Sequence, residues 1–308
     1  MSALQWRDWS CAVRVVLADD HGHHEAPTAE VADRVERVVR GLMRDVELSV
    51  SRFRDDSDIS RVNGRTGVLV PVRPLTVELV ELALEAADAT YGACDPTVGR
   101  QLLAAGYDVD IDQVRRRNPG DFVPAPPTRR ADWTEVRVDR GLGRVGIPAG
   151  LALDLGATAK AWTADEAAAR VLATIGIPAL VTIGGDVAVA GSGPAWPVEV
   201  SEHEGEPGQV VSLTSGGLAT SSTAGRRWLT TMGEQHHVID PATGRPARGP
   251  VRTASVHAGS CLRANSLATA ALVWGVRAHE LLAGRTSRLV MTDGTVVNSG
   301  AWAQDVAA

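Results

Sequence analysis

The chain has 308 residues, of which 44% are apolar and 22% charged, with a formal net charge of −6. This is ordinary globular composition with enough apolar material for a sizeable core, and the acidic balance argues against a free-standing nucleic-acid binder, which carries a basic excess. No apolar run approaches the ~20 residues of a membrane-spanning helix. The scattered cysteines Cys11, Cys94 and Cys261 are odd in number and cannot form a disulfide framework. The N-terminal residues lack an uninterrupted apolar segment and a lipid-attachment signature. The expectation is a cytoplasmic protein that does not span a membrane and has no nucleic-acid partner.

In chain order, residues 11–18 are short and β-branched and predict a strand. HGHH at 21–24 reads as a solvated loop, because no Cys or acidic pattern of metal spacing accompanies it. Thr28 is placed to cap a helix with Val31, Val35, Val38, Val39, Leu42, Met43 and Val46 on one stripe. A second helix is expected from about Thr76 to Thr90, stopped by Gly92. Asp95-Pro96 reads as a helix start. Residues 118–130 are Pro-rich and without period, a loop or linker that allows a subdomain break within an otherwise single domain over 1–308. Short strands follow at 135–138, 144–147, 151–154, 179–183, 187–190, 197–201, 210–214 and 253–257. Helices are expected at 158–175 and 262–283, and a hairpin at 288–297 turning on Asp293-Gly294. Strands in hairpin-like succession with interspersed helices favour an α+β fold of mainly antiparallel sheets with flanking helices over a doubly wound parallel sheet.

Several segments carry more polar, Gly and Pro residues than a core needs. In LDLGATAKAW (153–162) a strand ends at Asp154, the chain turns at Gly156, and a helix begins that carries Lys160, the one lysine in the sequence. A helix entrance and a nearby ammonium suit a phosphate; equally, Asp154 serves as a cap and Lys160 as a solvated residue. TIGGDVAVAG (182–191) is a tight hairpin or a close backbone approach to a ligand, and it has neither P-loop nor Rossmann spacing. In HHVIDPATGRPA (236–247), His237, with an expected pKa near neutral, is placed to take a proton from a hydroxyl, or else to bond a turn. In RANSLATAAL (263–272), Asn265 and Thr269 lie four apart at a helix start, so their oxygens face one way. With a backbone carbonyl they would suit Mg²⁺; otherwise Asn265 caps the helix and Thr269 is a small buried residue.

Taken in order, these segments resemble the FAD:protein FMN transferase family, the ApbE-type flavin transferases. S-x-[FYW]-x-x-x-S-x-[IL]-S-x-x-N is matched from Ser51 to Asn63, G-x-[FC]-D-P-T-V-G from Gly92 to Gly99 with Cys94 at the usual Phe, and L-D-L-G-x-x-A-K from Leu153 to Lys160. I-G-G-D is matched from Ile183 to Asp186, and H-V-I-D-P-x-T-G-x-P from His237 to Pro246. The resemblance covers roughly residues 10 to 300. It implies an ApbE-like, T-fold-related α+β unit with an FAD cleft. It implies a Mg²⁺-dependent transfer of the FMN half of FAD to a Thr or Ser hydroxyl of an acceptor protein, with release of AMP. By position it implies FAD contacts from Phe53, Ala93, Cys94, Asp95, Asp154, Lys160 and Ile239, metal ligation by the Ala157 carbonyl, Asn265 and Thr269, and His237 as general base.

Two departures from the family pattern stand out. Asn265 occupies the place of the family's metal-binding Asp, which removes a negative charge, and Trp9-Ser10-Cys11 stands where the family has Met-Gly-Thr. Two other functions stay open: a Mg²⁺-dependent FAD pyrophosphatase that yields FMN and AMP, and an FAD-binding protein without chemistry.

Overall fold

The computed structural model describes residues 3–18, 27–124, 129–193, 195–202 and 205–302. Strand Cys11–Leu17 alternates as a two-residue period requires: Val13, Val15 and Leu17 enter one core and Val16 another. In Ala179–Ile183, Ala179, Val181 and Ile183 enter the first core and Leu180 the second. Both strands belong to an eight-stranded sheet whose spatial order follows the chain. That order is Ala3–Asp8, Cys11–Leu17, Ala179–Ile183, Asp186–Ala190, Gly217–Ser222, Val251–Ala258, Ser287–Met291 and Val296–Ser299. Every neighbouring pair is antiparallel, so the α+β expectation holds.

One face of the sheet carries helices. Helix Ala29–Val50 begins where expected, with the Thr28 hydroxyl accepting from the Val31 N–H at 3.4 Å, and buries Val35, Val39, Leu42, Met43 and Val46. Helix Ala159–Ile175 packs its small residues Ala161, Ala164 and Ala167 into the same core and ends at Gly176, whose φ of 71° suits a left-handed cap. Helix Cys261–Trp274 lies beside it, and Asp165 joins the two: its carboxylate accepts from the Cys261 and Leu262 N–H groups at 2.8 and 2.9 Å. The opposite face is partly covered by the hairpin Trp196–Val200/Gln209–Leu213 through Trp196, Val200, Val211 and Leu213.

Several expectations are corrected. Residues 151–154 form no strand; they make only one isolated parallel bridge, Ala152 to Val98. Asp95-Pro96 starts no helix: Asp95 Oδ1 accepts from the Thr97 N–H at 2.7 Å, a side-chain turn, and the helix begins later at Gly99. The last long helix stops at Trp274 because Gly275 leaves the helical region with φ 57°, and a 3₁₀ turn and the short helix Ala278–Leu281 follow. Residues 133–135 are a 3₁₀ turn before strand Arg137–Asp139. Asn265 does not cap its helix, since Ser260 does so by accepting from the Arg263 N–H at 3.2 Å. Strand Ala3–Asp8 was not anticipated. The HGHH loop and residues 125–128 lie outside the described residues.

Candidate active-site cleft

Beside the central strands opens a cleft of about 1110 Å³, and every residue singled out in the sequence lines it: Phe53, Ala93, Cys94, Asp95, Asp154, Ala157, Lys160, His237, Ile239, Asn265 and Thr269. Segments far apart in the chain are tied together to make it. Asn63 is the main tie. Its Nδ2 donates to the Leu153 carbonyl at 2.9 Å and its Oδ1 accepts from the Leu153 N–H at 2.7 Å. That pair fixes the Ser51–Asn63 segment to the segment holding Asp154. Ser57 caps the short helix Asp58–Gly64 and donates to the Ser51 carbonyl at 2.6 Å. The serines and the asparagine of this motif therefore build the wall, and Phe53, 44% exposed, is the side chain left free to meet a ligand.

Asp154 is neither a helix cap nor free. Its Oδ2 pairs with Arg52 Nε at 2.5 Å, and its Oδ1 accepts from the Gly156 N–H at 2.9 Å. Arg52 donates to the Tyr107 carbonyl at 2.5 Å, and its guanidinium lies 4.2 Å from the Phe53 ring centre and 4.4 Å from that of Tyr107. The Thr158 and Ala159 N–H groups close on the Leu155 carbonyl. The amides at this helix entrance are thus partly used, and the positive group facing the cleft here is Lys160. Its Nζ pairs with Asp186 Oδ2 at 2.6 Å; the lysine side chain is 20% exposed and the aspartate 1%. Gly184, at φ 63°, lets the strand turn pass close by: a Cβ there would sit 3.2 Å from Lys160 Nζ.

Cys94 and Asp95 line the cleft as buried residues. Burial pushes the Cys94 thiol up to about 12, so it is an inert wall residue. Asp95 is also raised by burial, and its Oδ1 takes both the Thr97 N–H and hydroxyl. Ile239 belongs to the short strand Ile239–Asp240 and packs in a small core with Tyr107 and Trp228.

The two neighbouring histidines differ. His236 bonds the Ala247 carbonyl at 3.0 Å through Nε2 and holds the turn. His237 faces the cleft, buried beside Arg226. Burial, and then the charge of Arg226, hold His237 well below 6.5 rather than near neutral. The imidazole is accordingly unprotonated at neutral pH and able to accept a proton.

The would-be metal ligands meet in a hydrogen-bonded cluster. Asn265 Nδ2 donates to the Ala157 carbonyl at 2.7 Å, Asn265 Oδ1 accepts from Ser221 Oγ at 3.1 Å, and Ser221 Oγ and Thr269 Oγ1 lie 2.9 Å apart. Among the described residues no group of three or more His, Cys, Asp and Glu gathers as a metal cage.

Arg52, Tyr107, Asp186, Ser221 and Arg226 also line or support the cleft and were not singled out in the sequence. Asp186 closes the I-G-G-D motif and Arg52 lies inside the first motif, so both had a signal. Ser221 and Arg226 had none: Ser221 lies near the end of strand Gly217–Ser222 and Arg226 in the turn that follows it.

A cleft of this size, with cations on its walls, an unprotonated imidazole and an oxygen cluster, defines a protein that handles a large anionic ligand. The chain belongs to the ApbE family, whose model matches residues 9–291. The FAD:protein FMN transferase of Treponema pallidum is 31% identical over 287 residues, covering 86% of this chain and 76% of the relative. That of Vibrio cholerae is 30% identical over 249 residues, covering 76% and 71%. The crystal structure of the ApbE protein from Thermotoga maritima superposes with a TM-score of 0.85 at 24% identity, over 99% of each chain. Among the described residues no helix is long and apolar enough to cross a membrane.

Proposed function

We propose that this chain is an FAD:protein FMN transferase: it binds FAD in the cleft and transfers the FMN half to a Thr or Ser hydroxyl of an acceptor protein. The observation that carries this reading is the convergence of every site residue implied by the motifs on one cleft of about 1110 Å³. The hydroxyl oxygen attacks the flavin-side phosphorus, the phosphorus–oxygen bond to AMP breaks, and AMP leaves. His237, unprotonated and facing the cleft, takes the hydroxyl proton. Lys160 and Arg226 set positive charge along the cleft where the pyrophosphate lies. Phe53 offers an exposed aromatic face to the flavin.

The Ala157 carbonyl, Asn265 and Thr269 are oxygen-bearing groups drawn together on one wall, a donor set that fits Mg²⁺ once the Asn265 amide turns its oxygen inward. When bound there, Mg²⁺ supplies the charge that neutralises the pyrophosphate. All three groups are neutral, so most of the negative charge that holds the ion belongs to FAD. The chain acts as one domain: just past the Pro-rich stretch, Arg129 donates to the Ala149 carbonyl and its own carbonyl accepts from Gln101. A reducing compartment, the cytoplasm, suits its three free cysteines.

The test is to incubate the protein with FAD and Mg²⁺, with and without a candidate acceptor, and to follow AMP and protein-bound flavin. Flavin fixed to the acceptor with stoichiometric AMP supports transfer. Free FMN with AMP indicates hydrolysis, and unchanged FAD indicates a binding protein; either result sinks the proposal.

A further inference from the structure

The geometry points to Asn265 as a two-position amide switch that lets the cleft form, and take FAD, without a metal ion. This rests on the flavin reading above and adds the order in which the ligands bind.

A backbone carbonyl only accepts hydrogen bonds, so the end of the Asn265 amide lying 2.7 Å from the Ala157 oxygen is its NH₂ group. That N–H ties Asn265 to the Ala157 carbonyl directly, with no cation between them. The other end, Oδ1, accepts from the Ser221 hydroxyl, whose oxygen in turn accepts from the Thr269 hydroxyl. Asn265 and Ser221 are buried, 6% and 8% exposed, where an unmatched polar group costs about 1–3 kcal/mol. The cluster avoids that cost with no ion present. A carboxylate at this position would instead set oxygen against oxygen and require a cation between them.

The same cluster accepts the reverse arrangement. Ser221 and Thr269 are hydroxyls that both donate and accept. After a half-turn of the amide, Nδ2 faces Ser221 as a donor and Oδ1 faces the Ala157 carbonyl. Two oxygens then point at each other, which is stable only with a cation between them. The protein therefore takes FAD in the first position and moves to the second when Mg²⁺ joins the bound FAD phosphate. FAD binds first and the metal follows.

The experiment compares wild-type protein and Asn265→Asp in EDTA and in excess Mg²⁺, by FAD titration and by thermal unfolding without FAD. For the wild type, FAD is expected to bind measurably in EDTA and more tightly in excess Mg²⁺, since an ion that binds the FAD complex and not the free protein raises FAD affinity, and the flavin-free unfolding midpoint is expected not to move with Mg²⁺. For Asn265→Asp, FAD affinity in EDTA is expected to fall about tenfold, the equivalent of one lost buried hydrogen bond, and to recover with Mg²⁺. Its unfolding midpoint in EDTA is expected to drop and to rise on adding Mg²⁺. Wild-type FAD binding that appears only with Mg²⁺, or a flavin-free wild-type midpoint that rises with Mg²⁺, overturns the switch. If the aspartate variant does not fold, these wild-type comparisons decide alone. If wild-type protein binds no FAD in either buffer, the flavin reading has failed, and the unfolding comparison still decides the switch.

Discussion

Lys160 serves both folding and ligand binding, and one substitution separates the two. Its ammonium partners Asp186, whose side chain is 1% exposed, and it also faces the cleft. Lys160→Ala leaves that carboxylate buried and unpaired, a loss of about 3 kcal/mol that denaturant unfolding will register. The double variant Lys160→Ala/Asp186→Asn is expected to regain much of the stability but not the AMP release, because the cation is still missing. Equal recovery of both would make Lys160 purely structural. His237 gives a second residue-scale prediction. His237→Ala is expected to slow AMP release about a hundredfold or more while leaving FAD affinity nearly unchanged. Its pKa in the folded protein lies well below the ordinary 6.5, so the unfolded chain binds the proton more readily. The stability linked to His237 is thus complete above 6.5 and lost as pH falls from there through the folded value. In His237→Asn the fall in stability over that acid range should be shallower; an unchanged slope would show that the imidazole is not buried as described.

At the level of elements, the cleft depends on ties between segments with no regular pairing. Asn63 holds the Leu153 backbone by both ends of its amide. Asn63→Asp keeps the acceptor and loses the donor, setting a carboxylate oxygen against the Leu153 carbonyl. We expect a stability loss of about 1–3 kcal/mol and weaker FAD binding, since Asp154 is the next residue along. Calorimetry with FAD checks it, and undiminished affinity would detach Asp154 from the ligand. The same tie explains why 151–154 resembles a strand in sequence and is none in the fold. Its apolar residues look like a strand, but their backbone partners are the Asn63 side chain, the Pro96 carbonyl and the Gly99 N–H, none of which any local pattern reveals. Asp95-Pro96 failed for a related reason: a carboxylate that accepts from Thr97 two residues on makes a turn as readily as a helix cap. Where the local signal and the tertiary demand agree, as in Ala179–Ile183 or Thr28 and its helix, the elements were legible. The motif residues were legible as a set, whereas the partners that hold them, Arg52 on Asp154 and Ser221 on Asn265, depend on contacts across the fold.

For the molecule as a whole, ligand binding should appear as stability. A ligand at about a hundred times its dissociation constant adds about 2.7 kcal/mol to unfolding. FAD, which reaches the phosphate-facing cations as well as Phe53, is expected to raise the unfolding midpoint more than riboflavin at equal concentration. Equal shifts would mean that Lys160 and Arg226 contribute nothing to ligand binding.

The order of strands in the sheet also sets a timetable. Strand Cys11–Leu17 pairs with Ala179–Ile183, and residues 18 to 178 intervene. On a ribosome adding about 5–20 residues per second, the first hairpin waits roughly 10–30 s for the partner of its inner strand. During that interval the strand presents Val13, Val15, Val16 and Leu17 on an open edge, apolar and β-branched, the kind that recruits other chains. Truncated chains ending before residue 179 should accordingly aggregate, and chains extended past 183 should do so less. Synthesis speed through the intervening residues, more than the strength of any contact in the finished cleft, then governs how much active protein a cell obtains.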